Sequence, residues 1–508
     1  MNSEHHKSHP EPQHGKSFWK IAYQNFRRNT LAVTGFFIVV FFISVAVFVP
    51  LLANNKPLAV KMHLEDQYDN SYFVLLDSLE LYKTAAASDE SDPEELRKHD
   101  NLIRRHSGVM RQNLSHELSA QLALLEKRYE TLIAEPSTLD VAAFEALIIE
   151  IEEQFDLMNV TLKNRIRFPA FRQLKLYEVF FISLYLMAVV LLIFRKRILG
   201  FSVALLATVI IACAITGVWR FFNPPYFDST NYKALLPEIE KEQWMLFPLV
   251  PYGENENITR DARQKPSWLL SKEEHGQSQG YHLLGTDTNG RDVFCRMIYG
   301  TRIAMSVGFV AVGIYVTIGI ILGALAGFYR GAIDILISRF IEIVMCFPTF
   351  FLILIVLAFL RPSIINIMVV LGITGWTGIA RLQRGEFLRL VNYDFVQSVR
   401  ALGGSNFRII FRHILPNGLG PILVAASFGI AAAILVEAAL SFLGFGVPQP
   451  TASWGDLIYN GRNDVQGLWW LTIFPGFAIF TAVTAYNLVG EGIRDATDPK
   501  LTGVSISR

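Results

Sequence analysis

The residue types that most often do chemistry are sparse in this 508-residue sequence and poorly spaced for it. Gly15-Lys16-Ser17 has the tail of a phosphate-binding loop. Pro10 stands where that loop needs its first glycine and no strand precedes it, so its amides could not cradle a phosphate. His5, His6, His9 and His14 could chelate a metal, although a Pro- and His-rich terminus is more often simply a disordered one. Cys213, Cys295 and Cys346 are an odd number without ligand spacing, which argues against a disulfide or zinc framework. No HExxH, GxSxG, paired CxxC or kinase signature occurs, so the sequence supports no catalytic constellation, metal site or cofactor bound by this chain. Glu437 is conspicuous for its setting inside a long apolar run. A charge there is costly and tends to face a cavity, which makes it a candidate path-lining carboxylate; a buried residue hydrogen-bonded at a helix contact explains it equally well.

The elements that must position such residues are membrane helices. The chain is 52% hydrophobic and 18% charged with a net charge of +1, against roughly 25% charged residues in a soluble domain. This composition excludes an ordinary soluble enzyme, and the balanced charge gives no reason to expect a nucleic-acid partner. Apolar runs long enough to cross a bilayer lie at Leu31–Leu52, Val179–Phe194, Ile198–Trp219, Ile303–Phe328, Phe340–Leu360, Ile364–Ala380, Leu419–Phe445 and Leu468–Val489, about eight spans. Lys7, Lys16, Lys20, Arg27 and Arg28 outnumber Glu4 and Glu11 before the first span and place the N-terminus in the cytoplasm. Eight crossings return the C-terminus to the same side. Arg195 to Arg197 fit a cytoplasmic turn, as do the six arginines between Arg381 and Arg412. Arg291, Arg296 and Arg302 fall on the other side, where an amphipathic lead-in segment lying on the membrane surface would accommodate them.

Between Lys61 and Lys175 the character changes, with 14 basic and 21 acidic residues. Leu118, Leu122, Leu125, Tyr129 and Leu132 alternate spacings of four and three, as do Phe144, Ile148, Ile151, Phe155, Met158 and Leu162. Glu135-Pro136-Ser137 separates the two seams, with Ser137 as N-cap and Asp140 three residues on, so the spacing predicts an antiparallel helical hairpin outside the membrane. It is either a sensor or docking surface, or an insertion that packs on itself. Residues 223–290, rich in Pro, Gly and Asn, show no period.

Gly319, Gly323 and Gly327 leave one helix face bare at every fourth residue and predict close helix packing. On the cytoplasmic side, Asp394 to Ser405 reads as a short helix stopped by Gly403 and Gly404, and Arg408 to Asn417 as a second basic amphipathic helix leading to Pro416. Together they form a rigid projection suited to being held by a partner.

This projection resembles the EAA loop of ABC importer permeases. The resemblance implies that Gln397, Ser398 and Val399 occupy the Glu-Ala-Ala positions and that Arg400, Ala401, Leu402 and Gly403, with Ile414, Leu415 and Pro416, complete the ATPase-coupling loop. Gln397 places a neutral amide where the family has a carboxylate. Leu284-Gly285-Thr286-Asp287, Gly290-Arg291-Asp292-Val293, Ala326 to Gly331, Arg339 to Pro348, Glu437 to Gly444 and Asn487 to Leu501 are similar to segments of the second permease of oligopeptide and dipeptide importers. The likeness covers residues 283–501 and the first span; the acidic insertion and the span pair from Val179 to Trp219 are additions to the family plan.

The expectation is therefore an all-α polytopic bundle with a type I permease core and an inserted extracytoplasmic helical hairpin. Its parts are a tail (1–30), first span (31–52), insertion (53–177), extra span pair (178–219), lead-in segment (220–302), core (303–491) carrying the loop 381–416, and C-terminal tail (492–508). The resemblance implies an inner-membrane permease half with a homologous second permease, two ATPases that hold ATP and magnesium, and an extracytoplasmic solute-binding protein. The solute class is peptide, with nickel or another small solute as the alternative. A membrane sensor is the reading from another class, against which stands the lack of any output domain after the last span. A proton-coupled secondary carrier is disfavoured by the few intramembrane charges.

Overall fold

In lipid, a backbone can satisfy its amides and carbonyls only within itself, and runs of Phe, Ile, Val and Leu resolve this as helices. The computed structural model describes residues 18–497 apart from 63–64, 87–92, 135–139, 157–159, 161, 194–200, 224–229 and 240–242. The Gly15-Lys16-Ser17 stretch, the four N-terminal histidines, Pro136-Ser137, Met158, Arg195 to Arg197 and Asp498 to Leu501 lie outside the described residues.

In chain order the elements begin with α1 (Phe18–Arg28), α2 (Thr30–Leu52) and strand β1 (Ala59–Met62). Helices α3 (Glu65–Ala86), α4 (Pro93–Asn113), α5 (His116–Leu132) and α6 (Val141–Phe155) come next, then β2 (Arg165–Arg167). After these stand α7 (Leu176–Ile193), α8 (Phe201–Phe222) and β3 (Trp244–Leu246). The remainder is α9 (Val293–Tyr329), α10 (Gly331–Met345), α11 (Thr349–Phe359), α12 (Ile364–Thr374), α13 (Trp376–Leu390), α14 (Asp394–Ala401), α15 (Gly420–Phe442), α16 (Trp454–Gly461) and α17 (Trp470–Thr497).

These elements divide into two compact units, one of residues 1–54, 175–222 and 249–508, the other of residues 55–174 and 223–248. Among the described residues of the first, six helical stretches are long and apolar enough to cross a membrane, a seventh if α10 and α11 count as one, and α7 adds a shorter apolar helix. The run expected as one span at Phe340–Leu360 is instead bent by 78° between α10 and α11. Pro348 explains the break: it offers no amide hydrogen and pushes the residue before it out of helical geometry. Helix α9, 37 residues long, is the central post, packed against α2, α12, α13 and α15, while α17 packs on α2, α15 and α16.

In the second unit α5 and α6 bury the expected seams through Leu122, Leu125, Tyr129, Phe144, Ile148, Ile151 and Phe155. They are half of a larger body. Helices α3 and α4 complete the same core through Leu75, Leu79, Ile103 and Met110, so the expected hairpin is corrected to four helices. A small antiparallel sheet in the order β2-β1-β3 joins them, with Lys61 opposite both Ile166 and Trp244. The expected boundary at residue 177 is corrected too, because β3 brings residues 223–248 into this unit. β1 pairs on one edge with β2 and on the other with β3, a strand from beyond the span pair.

Candidate functional site

The projection is built from a helix stop. Gly403 adopts a φ of 77° after the end of α14, and its amide donates to the Arg400 carbonyl while the Gly404 amide donates 2.9 Å to that of Val399. This paired closure is the Schellman arrangement, and only glycine takes such a backbone without steric cost. Val399 fills the space above Gly404, where an added methyl would lie 2.6 Å from Val399 Cγ1. Ser405 then caps the next short helix by accepting from the Arg408 amide.

The segment beyond this cap departs from the expected regular helix. Residues Ile409–Ile414 form a π-helical stretch leading into Leu415–Gly418. Pro416 supplies the cause, since an α-helical register would press its ring against the Arg412 carbonyl and leave that carbonyl unbonded. The wider turn keeps Ile409, Ile410 and Ile414 buried with Val396, Phe387 and Leu390, beside Ala324 and Phe328 of α9. Arg400 lies 5.9 Å above the Phe328 ring. Gln397 donates 2.9 Å to the Val391 carbonyl and so closes the end of α13, while Ser398 donates back to Asp394. Ala401 ends the helix; Leu402, 87% exposed, and Phe407, 71% exposed, are left on the outer surface. Leu415 and Pro416 are half-buried.

The glycine face of α9 meets α13. A methyl on Gly319 would lie 2.6 Å from Ile379 Cβ, one on Gly323 2.5 Å from the Ala380 carbonyl oxygen, and one on Gly327 2.6 Å from Phe387 Cβ. Backbone thus nearly touches backbone along three turns, rigidly joining α9 to the helix from which the projection departs.

Glu437 is buried in α15, accepts 2.7 Å from the Ser441 hydroxyl, and through it approaches Ser453, the N-cap of α16. It is thereby placed in an interior polar chain at a helix contact.

A second polar cluster had no sequence signature. His282 is buried with Nδ1 2.9 Å from Asp292 and Nε2 3.2 Å from Asp261, and its ring stacks on Tyr252 at 4.7 Å. Burial, and next the Asp292 charge, hold the Tyr252 phenol well above its ordinary range. Nearby, Asp287 accepts from Arg291 at 2.6 Å, and Arg296 bonds Asp456 at 2.9 Å. These arginines were expected on a membrane-surface segment; both are buried, and α9 continues straight from Val293 into its apolar run. Carboxylates and carbonyls replace part of the water they lose, while Arg291 Nη2 and Arg296 Nε have no hydrogen-bond acceptor among the described residues. Among the described residues, no three His, Cys, Asp or Glu side chains gather to hold a metal.

The described residues form a bundle of long apolar helices with a projecting loop, the architecture of a polytopic membrane protein. Residues 319–503 match the family described as binding-protein-dependent transport system inner membrane component, and residues 17–73 match the N-terminal TM domain of oligopeptide transport permease C. The dipeptide transport system permease protein of Alkalihalophilus pseudofirmus is 42% identical over 220 residues, 43% of this chain and 72% of that one. The di/tripeptide transport system permease protein of Pseudomonas aeruginosa is 38% identical over 253 residues, 50% and 82% of the two chains. The peptidoglycan transport system permease protein of Agrobacterium fabrum is 35% identical over 295 residues, 54% and 77%. The chain belongs to the family of binding-protein-dependent transport permeases, the multi-pass inner-membrane components of ABC importers.

Proposed function

We propose that this chain is one permease half of an ABC importer for dipeptides or oligopeptides, working beside a homologous second permease, two ATPase subunits and an extracytoplasmic solute-binding protein. Both termini and the loop 381–416 face the cytoplasm. The ATPases hold ATP and magnesium, and this chain hydrolyses nothing. The relatives named for dipeptide and di/tripeptide transport support the solute class.

The observation that carries the reading is the projection around α14, which exposes Leu402 and Phe407 while its inner face is bolted to α9 and α13 through Val396, Ile409, Ile410 and Ile414. An apolar tip on a rigid base is what a partner's cleft can grip and move. ATP-driven closure of the ATPases shifts that cleft, the projection moves with it as a rigid lever, and α9, α13 and α15 exchange outward for inward access. Gln397 makes its bond within the chain, which supports a coupling helix that keeps its shape without the family's carboxylate.

The test is the purified four-subunit assembly with its binding protein. Leu402→Asp and Phe407→Asp should each abolish peptide-stimulated ATP hydrolysis and release the ATPases, while pairing with the second permease persists. Normal stimulated turnover in both variants would remove this loop from coupling.

A further inference from the structure

The first unit holds a groove of about 360 Å³ walled by α2, α7 and α9. Ile43, Val47, Phe181, Met305 and Phe309 line it, and at one end stand Arg302 and Glu178. A groove of this volume accommodates a single flexible hydrocarbon chain. The wall supplied by α7 lies outside both stretches that match the family, so the groove depends on the additional span pair.

Its polar end is unsaturated. Arg302 donates through Nη1 to Glu178 at 2.8 Å and through Nε to the Ala46 carbonyl at 3.2 Å, and its Nη2 has no acceptor among the described residues. Just outside, exposed Lys175 lies 5.9 Å above the ring of Tyr177, which itself lines the groove, and has no carboxylate partner among the described residues. A guanidinium at the border of an apolar groove, with a donor to spare and an ammonium beyond it, complements an anionic oxygen joined to a hydrocarbon chain.

We propose that this groove is a phospholipid site, with one acyl chain along α2, α7 and α9 and the phosphodiester bound by Arg302 and Lys175. The lipid acts as a wedge that completes the packing of α7 on the core.

The experiment uses the full chain in nanodiscs containing a phosphatidylglycerol whose acyl chain carries a diazirine. Crosslinks should concentrate in residues 43–47, 177–181 and 302–310. Excess unlabelled phosphatidylglycerol should suppress them at least tenfold, and excess diacylglycerol, which lacks the phosphate, should not. Ser306→Trp, which fills the groove, should cut labelling of these segments tenfold, whereas Ile210→Trp on the exposed face of α8 should leave it unchanged. Labelling spread evenly over the spans, or equal competition by diacylglycerol, overturns the proposal. If Ser306→Trp fails to fold, the competition in the unaltered chain decides.

Discussion

Arg302 of α9 and Glu178 of α7 meet at 2.8 Å, and this pair ties the additional span pair to the family core. Glu178 is 8% exposed and Arg302 21%, so neither charge is well solvated without the other. Ser44 of α2 and Tyr185 of α7, with hydroxyls 2.5 Å apart, add a second tie between the same parts.

Glu178→Gln should therefore destabilise the chain by about 3 kcal/mol, the cost of stranding one member of a largely buried pair. Replacing both by methionine should recover most of the loss. Thermal unfolding of the single and double variants in detergent measures the cycle, and a double variant no more stable than Glu178→Gln would deny the pairing its role.

Gly403→Val should uncouple ATP hydrolysis from solute without preventing assembly, because a β-branched residue at a φ of 77° costs about 1–2 kcal/mol and loosens the helix stop. Gly403→Asn should be milder, since asparagine tolerates that backbone. Equal stimulated rates for both variants and the parent would count against the lever.

Gly323→Val should lower the unfolding temperature markedly, as its methyls would press on the Ala380 carbonyl and no rotamer change of a neighbour can relieve it. Overpacking of this kind costs about 1–3 kcal/mol. Gly313→Ala on the same helix is the control, with nothing within 4 Å of its added methyl. Comparable losses at both positions would mean that the α9–α13 contact does not govern the effect.

Tyr129 in the second unit gives a pH dependence of defined sign. Burial first, and then the Asp100 carboxylate beside it, raise the phenol above its ordinary value. Its stabilising contribution is full below about pH 10, the unfolded phenol value, and is lost as pH rises past that toward the folded one. Proteolysis of the 55–174 region in the full chain should accelerate above about pH 10, and Tyr129→Phe should flatten that rise.

Orientation is testable by cysteine labelling in a background lacking the native thiols. Cysteine at Lys272 should react with an impermeant reagent in intact cells and cysteine at Ser405 should not. Reaction at Ser405 would invert the proposed topology.

Much of the bundle was legible because lipid demands long apolar runs, and α2, α8, α9, α15 and α17 announce themselves that way. The helix stop at Gly403 was legible because two glycines mark it. Helix α4 was not, since His99, Ser107 and Asn113 occupy core-facing positions and dilute its apolar period. Helix α3 did carry a period, in Tyr68, Tyr72, Leu75, Leu79 and Tyr82, but acidic residues between them masked it. The contacts of His282 with Asp261 and Asp292 join residues from three separate loops and helix caps, for which linear spacing holds no sign.

The pairing of β1 with both β2 and β3 also sets an order of assembly during synthesis. A chain emerging from its N-terminus makes β1 and β2 early, but β3 arrives only after both α7 and α8 have been translated. Until then one edge of β1 presents open amides and carbonyls, the kind of edge that templates mispairing. Correct insertion of the α7–α8 hairpin is thus a precondition for closing the sheet, and any truncation before Trp244 should release a nascent chain with that edge bare.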